Sequence, residues 1–332
     1  MIITVVGLGV VGGSFVKALK GQGHEVYGVD VDEETLARAK ADGCIKEGFV
    51  DGREIIKKSD MTIICLYPSL VLDYIKKHEF KKGSIITDAV GVKTHFLNEA
   101  MDLLKDKDVE FVSGHPMAGR ENKGYLYASK EVFQGANYIL IQHEENSKSA
   151  IAMMEQFVSN LGFHSVKIMS PQAHDEIISF TSQLPHVIAV SLIDSDNQKY
   201  DTGKYIGDSY RDLTRIANIN EDLWTELFFT NKNNLLKSIQ GFEDQLDILK
   251  KAIKEEEKTK SGIILTGEAK EKPQQAEVIA VGPGGIVDGE EVKMQVKVGD
   301  TVIYSKYSGT EVTLEDEDFI IVSQSDILAI VE

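Results

Sequence analysis

The chain has 332 residues, a formal net charge of −17 at pH 7 and 42% hydrophobic residues. This length predicts two or three domains, and the acidic balance argues against nucleic acid or an anionic membrane as a partner. Cys44 and Cys65 lie outside any CxxC spacing, no apolar run reaches membrane-spanning length, and no basic leader precedes the first strand. We therefore expect a cytoplasmic protein with reduced thiols. No spacing typical of a metal site occurs in the sequence.

The first predicted elements are a strand, a glycine-rich turn and a helix. An apolar run from Ile2 to Val6 predicts a buried strand, and residues 15–19 continue as a helix with an apolar face. The G-x-G-x-x-G spacing between them allows a tight turn and brings the backbone close to a pyrophosphate at the helix N-terminus. The residues that this pattern predicts to bind a dinucleotide are Gly7, Leu8, Gly9, Val10, Val11 and Gly12.

An acidic residue follows the second predicted strand. This strand runs from His24 to Val29 and ends at Asp30, about 20 residues after the glycines. A carboxylate at this point can accept a hydrogen bond from a ribose hydroxyl, and it would repel a 2′-phosphate. We therefore expect NAD as the cofactor in preference to NADP. The alternative is a structural glycine turn in another kind of α/β protein.

Strands and helices alternate up to about residue 170. Further strands are predicted at 61–66, 84–88, 109–113, 138–142 and 165–169. Alternation of this kind predicts a Rossmann-type α/β domain over residues 1–170, with a largely parallel sheet and helices on both faces. Ligands of such sheets bind at the carboxyl ends of the strands.

One histidine follows a predicted strand at the edge where a nicotinamide would lie. His115 stands in the segment Gly114-His115-Pro116-Met117-Ala118-Gly119. Because the ordinary pKa of histidine is close to neutral, a histidine fixed there can accept a proton while a hydride leaves for NAD. The alternative is a histidine in a structural turn.

The pattern becomes helical from Ser170-Pro171, a typical helix start. Long helices are predicted at 171–198, at about 207–217 and from 221 onward after an Asn220 cap. We expect an all-α domain over residues 171–254 whose apolar surface packs against a second subunit, which makes the protein a homodimer.

Two helical motifs in this domain carry groups that could bind an anion. His186 ends the segment Ser182–His186, and Asp212 and Arg215 lie three residues apart on one helix face. An arginine can hold a carboxylate through two parallel hydrogen bonds. The alternatives are a packed helix histidine and a surface ion pair between Asp212 and Arg215.

After a charged segment at 255–262 the pattern changes to short strands separated by glycine turns. Strands at 276–281 and 301–304 and turns at this spacing predict a small β-barrel module over residues 255–332. All eight histidines and the only tryptophan, Trp224, precede it. Acid–base chemistry by histidine is therefore confined to residues 1–254.

Residues 1 to about 250 resemble prephenate dehydrogenase. The motifs that carry the resemblance are the N-terminal fingerprint, residues 114–121, residues 182–186, and residues 212–217 followed by Trp224. The resemblance implies NAD-dependent oxidative decarboxylation of prephenate to 4-hydroxyphenylpyruvate in tyrosine synthesis. It implies His115 as the catalytic base and His186 and Arg215 as ligands of the substrate carboxylates. The further residues that it implies for the substrate pocket are Glu121, Asp212 and Gln183. Arogenate dehydrogenase is the alternative, since no residue that we identify distinguishes the two substrates.

The sequence departs from that family at one position beside the catalytic histidine. Many members have a serine in the loop after the strand that ends at Asp88, and this serine pairs with the histidine. Here Gly91 occupies the aligned position. The hydrogen bond of that hydroxyl must therefore come from another group or be absent.

Residues 255–332 resemble a GroES-type co-chaperonin. The segments that carry the resemblance are residues 261–266, 282–284, 296–300 and 325–331. In that family the Gly-Ile-Ile-Leu segment lies in a mobile loop that docks onto a chaperonin, which implies Ile263, Ile264 and Leu265 as contact residues and a chaperonin as a partner. Helical sequence ending at Lys254 replaces the family's opening strand, so we expect an open sheet edge and no heptamer. A chaperonin-binding protein with a scaffold-like N-terminal part is the alternative function of a different class.

Overall fold

A computed structural model describes residues 1–119, 122–254, 274–287, 290–292, 294–304, 309–314 and 317–331. The chain divides into two compact units, Met1–Gly241 and Phe242–Glu332. The expected boundaries of three domains at residues 170 and 254 stay predictions.

The first unit contains a six-stranded parallel sheet. Its strands are β1 (Ile2–Val6), β2 (Glu25–Val29), β3 (Glu47–Phe49), β4 (Met61–Ile64), β5 (Ser84–Asp88) and β6 (Val109–Phe111), in the order β3-β2-β1-β4-β5-β6. The helices between them are α1 (Val10–Leu19), α2 (Glu33–Ala41), α3 (Arg53–Ile56), α4 (Pro68–Lys77) and α5 (Thr94–Leu104). This order confirms the Rossmann-type prediction and places the switch in strand order between β1 and β4, where dinucleotides bind.

A second sheet of the same unit was not predicted. It consists of β7 (Ser113–Pro116), β8 (Asn137–Ile141) and β9 (Ser165–Met169), with α6 (Lys148–Asn160) between the last two. The single strand predicted at 109–113 is divided at Val112 into β6 and β7, and β7 pairs antiparallel with β8. The described part of the β7–β8 connection contains only 3₁₀ turns, and two strands without a helical crossover between them favour antiparallel pairing.

The core of this unit lies on both faces of the parallel sheet. One cluster of buried side chains includes Phe15, Leu19 and Met154, and the other includes Ile75 and Phe96. The apolar faces of the flanking helices supply these side chains, as the sequence pattern predicts. The two clusters fix the sheet, and with it the strand ends that carry functional groups.

The helical region begins where the sequence predicts. Ser170 Oγ accepts a hydrogen bond from the backbone N–H of Ala173, and Pro171 is the first residue of the helix. The elements are α7 (Pro171–Ile178), a π-helical turn at Ser179–Gln183, α8 (Leu184–Asp194), α9 (Asp208–Thr214), a 3₁₀ turn at Arg215–Ala217, α10 (Glu221–Thr230) and α11 (Lys232–Lys254). The helix predicted at 171–198 therefore ends at Asp194 and includes a π-helical turn.

One helical stretch of the described residues, Pro171–Asp194, is long and apolar enough to cross a membrane by length and composition. This corrects the expectation that no run reaches that length. Core helices of soluble proteins pass the same test. The stretch carries His174, Asp175 and Gln183, which are at most 2% exposed and hydrogen-bonded within the protein. One face of the stretch is therefore packed within the helical region, whereas Phe180 on the same stretch is 61% exposed.

The described strands of the second unit are short and antiparallel. They are β10 (Gln274–Glu277), β11 (Gly285–Val287), β12 (Glu290–Val292), β13 (Thr301–Tyr304), β14 (Thr310–Leu314), β15 (Glu317–Ile321) and β16 (Ile327–Val331). They form the sheet β10-β13-β16 and the pairs β11-β12 and β14-β15. The prediction of a small strand-rich module is confirmed, with β13 at its predicted position. The strand predicted at 276–281 lies instead at 274–277, and Ile263, Ile264 and Leu265 lie outside the described residues.

Candidate active site

A cavity of about 640 Å³ in the first unit brings the predicted motifs together. Its wall includes the glycine-rich turn at Gly9, the β7 residue His115 and the helical residues His186, Arg215 and Trp224. The cavity lies at the carboxyl ends of β1, β4 and β5, where an open parallel sheet binds its ligands.

The glycines of the fingerprint have separate physical roles. Gly7 has a φ of 81°, and a Cβ there would lie 2.5 Å from the Cys65 carbonyl oxygen. A Cβ at Gly12 would lie 1.9 Å from the Gly7 carbonyl oxygen, so Gly12 permits close packing of helix on turn. Gly9 lines the cavity and has no atom within 4 Å of its own Cβ position. Open space at the start of α1 fits a pyrophosphate bound by the first helical N–H groups.

Asp30 lies at the end of β2 and is bonded to the fingerprint. Its Oδ2 accepts a hydrogen bond from the backbone N–H of Leu8 at 2.6 Å, and its Oδ1 accepts one from Asp32 at 3.0 Å. Leu8 is 1% exposed, so it supports the turn, whereas Val10 and Val11 line the cavity. The carboxylate is thus held beside the turn, at the position from which a ribose would be bound.

His115 is the end of a chain of three side chains. Its Nδ1 lies 2.9 Å from His174 Nε2, and His174 Nδ1 lies 2.8 Å from Asp175 Oδ1. His174 and Asp175 are buried, and His115 is partly buried in the cavity wall. With Nδ1 engaged, Nε2 is the ring nitrogen of His115 that can serve a ligand in the cavity.

A buried ion pair lies behind this histidine. Lys93 Nζ is 2.6 Å from Asp88 Oδ2 and donates a hydrogen bond to the Gly114 carbonyl oxygen at 2.7 Å. Ser113 Oγ donates to Asp88 Oδ1 at 2.6 Å. Burial lowers the pKa of His115 well below its ordinary value, and the proximity of His174, when protonated, and of Lys93 adds to this decrease. The imidazole is therefore neutral at pH 7 and able to accept a proton.

His186 is held by the π-helical turn that precedes α8. Its Nδ1 donates to the Ser182 carbonyl oxygen at 2.8 Å, and its ring centroid lies 3.7 Å from that of Trp224. Burial lowers the pKa of His186. Arg215, at the start of the 3₁₀ turn after α9, lines the same cavity. The structure thus brings an arginine and a histidine to one side of the space that His115 faces.

Two residues predicted for the substrate pocket, Gln183 and Asp212, lie outside the cavity wall. Gln183 is 1% exposed; its Nε2 donates to the Leu227 carbonyl oxygen at 2.9 Å, and its Oε1 accepts from Asn231 at 2.9 Å. Its buried amide fastens helices together, so the expected substrate contact of Gln183 is corrected to a structural role. Asp212 is exposed on α9 outside the cavity wall, and Glu121 lies outside the described residues.

Sequence reasoning missed His174, Asp175 and Lys93. The available signal was weak: His174 and Asp175 are adjacent polar residues near the start of an apolar helix, and Lys93 follows a buried strand by five residues. Whether polar residues at such positions are buried can be seen only when the packing is known.

Cys65 also lines the cavity, but burial raises the pKa of its thiol, which excludes a thiolate at neutral pH.

Three families of known proteins match the chain. Residues 15–167 match "Prephenate dehydrogenase, nucleotide-binding domain", residues 170–262 match "Prephenate dehydrogenase, dimerization domain", and residues 238–331 match "Chaperonin 10 Kd subunit". The last match begins inside α11, before the expected start of the module at residue 255. Residues 238–254 are thus helical although they match a family in which we expect a strand.

Individual relatives agree with these matches. The structure of prephenate dehydrogenase from Aquifex aeolicus with hydroxyphenyl propionate and NAD⁺ is 30% identical, with a TM-score of 0.70 over 77% of this chain and 91% of that chain. Synechocystis arogenate dehydrogenase is 27% identical, with a TM-score of 0.66 over 77% and 92%. The co-chaperonin GroES of Lachnoclostridium phytofermentans is 70% identical over 84 residues, which are 25% of this chain and 88% of that protein. The chain therefore belongs to the prephenate dehydrogenase family and carries a C-terminal module of the Chaperonin 10 family.

Proposed function

We propose that this protein catalyses NAD-dependent oxidative decarboxylation of prephenate to 4-hydroxyphenylpyruvate. The observation that carries the proposal is the position of His115, a neutral imidazole with Nδ1 engaged by His174, in the wall of the cavity that Gly9 of the glycine fingerprint also lines. A base near a dinucleotide site is what oxidation of a secondary alcohol requires.

The fingerprint fits NAD. Open space at Gly9 and the start of α1 receives the pyrophosphate, and the Asp30 carboxylate accepts a hydrogen bond from a ribose hydroxyl. The same carboxylate repels the 2′-phosphate of NADP. When bound, NAD accepts the hydride of the reaction; the protein supplies position and charge.

The opposite side of the cavity fits a dianion. Prephenate carries two carboxylates and a ring hydroxyl, and Arg215 can bind one carboxylate through two parallel hydrogen bonds. His186 Nδ1 is already bonded to the Ser182 carbonyl, so His186 donates to a carboxylate through Nε2 only as an imidazolium. Trp224 packs against this ring, with the two ring planes tilted by 31°.

His115 moves the proton. Its Nε2 accepts the proton of the ring hydroxyl while the hydride leaves the carbon that bears the oxygen, so a ketone forms. Loss of the ring carboxylate as carbon dioxide then restores an aromatic ring and leaves its electron pair in the product. The contribution of the protein is to hold the dianion and the cofactor face to face.

Arogenate dehydrogenase is the second candidate, favoured by the similarity to the Synechocystis enzyme. The same chemistry applies to both substrates, which differ in a side-chain amino group. NADH formation should be measured with prephenate and arogenate in parallel at equal concentrations. We expect the higher kcat/KM with prephenate. A higher value with arogenate would make arogenate the substrate, and a lack of NADH formation with both would contradict the proposed dehydrogenase activity.

We further propose that the enzyme is a cytoplasmic homodimer through its helical region. Large apolar side chains are exposed there: Phe180 is 61% and Phe229 is 71% exposed. Exposed aromatic residues of this size are typical of a protein interface, and residues 170–262 match a dimerization domain. Sedimentation equilibrium should give twice the chain mass.

Chaperonin binding by the C-terminal module is a proposal of a different class. It is supported by 70% identity to a GroES over 84 residues. A pull-down of the full chain with a chaperonin and nucleotide tests it, with a triple serine variant of Ile263, Ile264 and Leu265 as the matched control. Retention of the native chain and loss of the variant would support a chaperonin as partner.

A further inference from the structure

We infer that His174 and Asp175 are positioning residues that fix the tautomer and the ring orientation of His115. The expected effect on kcat rests on the proposed function, whereas the tautomer of His115 follows from the hydrogen bonds alone. The three side chains form one hydrogen-bonded chain from a helix terminus to the cavity. Neither His174 nor Asp175 lines the cavity, so both act only through His115.

The hydrogen-bonded chain of side chains begins at the first residues of α5. Asp175 Oδ1 accepts a hydrogen bond from the backbone N–H of Lys93 at 2.8 Å, and Oδ2 accepts one from Thr94 at 2.7 Å. Burial alone would raise the pKa of Asp175, but the bonds from His174 and from these backbone groups outweigh burial and lower it. Asp175 is therefore a carboxylate, which can only accept hydrogen bonds.

The direction of each hydrogen bond follows from that charge. Because Asp175 only accepts, His174 must carry a proton on Nδ1 and, when neutral, offers a lone pair on Nε2. His115 must then donate from its own Nδ1 to His174 Nε2. The lone pair of His115 is thereby placed on Nε2, the nitrogen that the proposed proton transfer uses. The reverse tautomer would present an N–H and could not act as a base.

The electrostatic surroundings keep His174 neutral. Burial lowers its pKa, the bond to Asp175 raises it, and the charge of Lys93 lowers it further, with a net decrease. Lys93 and Asp88, the other charged groups that act on His174, form the buried ion pair described above. A protonated His174 would donate at both nitrogens and force the wrong tautomer on His115, so this environment maintains the active arrangement.

The helix that carries the two positioning residues is itself fastened. Asn231 Nδ2 donates to the Asp175 carbonyl oxygen at 2.8 Å and to Gln183 Oε1 at 2.9 Å.

Residue 91, where a hydroxyl would pair with the histidine in many family members, is a glycine whose Cβ position lies 3.9 Å from His115 Cε1. The partner of His115 is therefore supplied by α7 and not by the loop after β5.

Three variants of the full chain test the inference. His174→Phe fills the space but removes the acceptor, Asp175→Asn removes the carboxylate, and His174→Gln keeps an acceptor oxygen at the distance of Nε2. We expect kcat to fall by about 10²-fold or more in His174→Phe. In Asp175→Asn we expect a fall of about 10–10²-fold, the usual cost of removing an outer partner that orients a functional histidine, with KM for prephenate little changed in both. His174→Gln should recover much of the lost kcat. His78→Gln, a half-buried histidine bonded to the Tyr74 carbonyl outside the cavity, is the control.

A spectroscopic readout separates this inference from the proposed function. In protein labelled with ¹⁵N-histidine and free of substrate, the His115 ring should show a protonated Nδ1 and an unprotonated Nε2. His174→Phe should give a mixture of tautomers, while thermal unfolding shows whether the variant is folded. Absence of NADH formation by the native chain would contradict the proposed dehydrogenase activity but would not affect the tautomer of His115 that the spectra report. An unchanged tautomer and unchanged kcat in folded His174→Phe would overturn the inference.

Discussion

The two units of this chain differ in what they bury. The first buries charged and titratable side chains, among them Asp88, Lys93, His174 and Asp175, all at most 2% exposed. Among the described residues of the second unit, the buried side chains are Val296, Val302 and Tyr304. Burying charge is unfavourable unless the groups pair, so a network of this kind is expected where chemistry needs it.

The unit with the lower sequence identity to a known protein is the one whose function can be argued further from its structure. The first unit is only 30% identical to a solved relative, yet its function can be argued from a few groups around one cavity. The second is 70% identical to a co-chaperonin, yet its proposed contact residues lie outside the described part of the chain. Enzymatic chemistry is fixed by a few buried side chains, whereas docking depends on an assembled surface.

The largest expected effect is loss of the base. His115→Asn should lower kcat by about 10²–10⁴-fold, the usual contribution of general base catalysis, because the amide cannot take the hydroxyl proton. Binding of NAD, measured by calorimetry, should persist, since the fingerprint is untouched. Near-normal turnover in this variant would remove His115 from the mechanism.

Arg215→Lys should act mainly on KM. The ammonium keeps the charge but loses the planar pair of donors, and hydrogen bonds to charged groups contribute about 1.5–3 kcal/mol each. We therefore expect KM for prephenate to rise roughly tenfold or more. Arg211→Lys is the matched control, because Arg211 is exposed on α9 and paired with Asp208. An unchanged KM in Arg215→Lys would make the residue structural.

The pH dependence should show two limbs of opposite origin. The pKa of His115 is lowered, so kcat should fall only when the pH drops below about 6.5, the ordinary value of histidine. Burial also lowers the pKa of His186, so in the free enzyme His186 loses its proton below about pH 6.5, the ordinary value of histidine. Because only the imidazolium can donate to a carboxylate, kcat/KM should fall as the pH rises through that range. His186→Asn should abolish the alkaline decline while the acid decline stays. Persistence of the alkaline decline in that variant would show that another group causes it.

Asp30→Ser should narrow the preference for NAD over NADP. Loss of one hydrogen bond to a charged group corresponds to roughly tenfold in the ratio of kcat/KM values, and repulsion of the 2′-phosphate is removed as well. Steady-state rates with both cofactors measure this ratio. Equal or faster turnover of the native chain with NADP would contradict the role of Asp30.

How much the sequence predicts depends on how local each feature is. The turn from β1 to α1, Asp30 and His115 follow from patterns of a few residues. The strand order places the turn and His115 around one cavity, and Asp30 is hydrogen-bonded to the turn. The pairing of His115 with His174 joins residues 59 apart, and that of Asp175 with Lys93 joins residues 82 apart. Such contacts arise from packing between elements, which periodicity does not report. The predicted substrate contact of Gln183 is wrong for the same reason, because its motif does not show that the amide is buried.

The smallest expected effect tests the central claim that all the dehydrogenase chemistry lies in the first unit. The measurement compares the rate of NADH formation from prephenate by the full chain and by a chain that ends at residue 255, which retains α11 (Lys232–Lys254). We predict equal kcat and KM within about twofold, because among the described residues the cavity wall extends no further along the chain than Leu227. A truncated protein that folds as a dimer but has lost turnover would contradict the account.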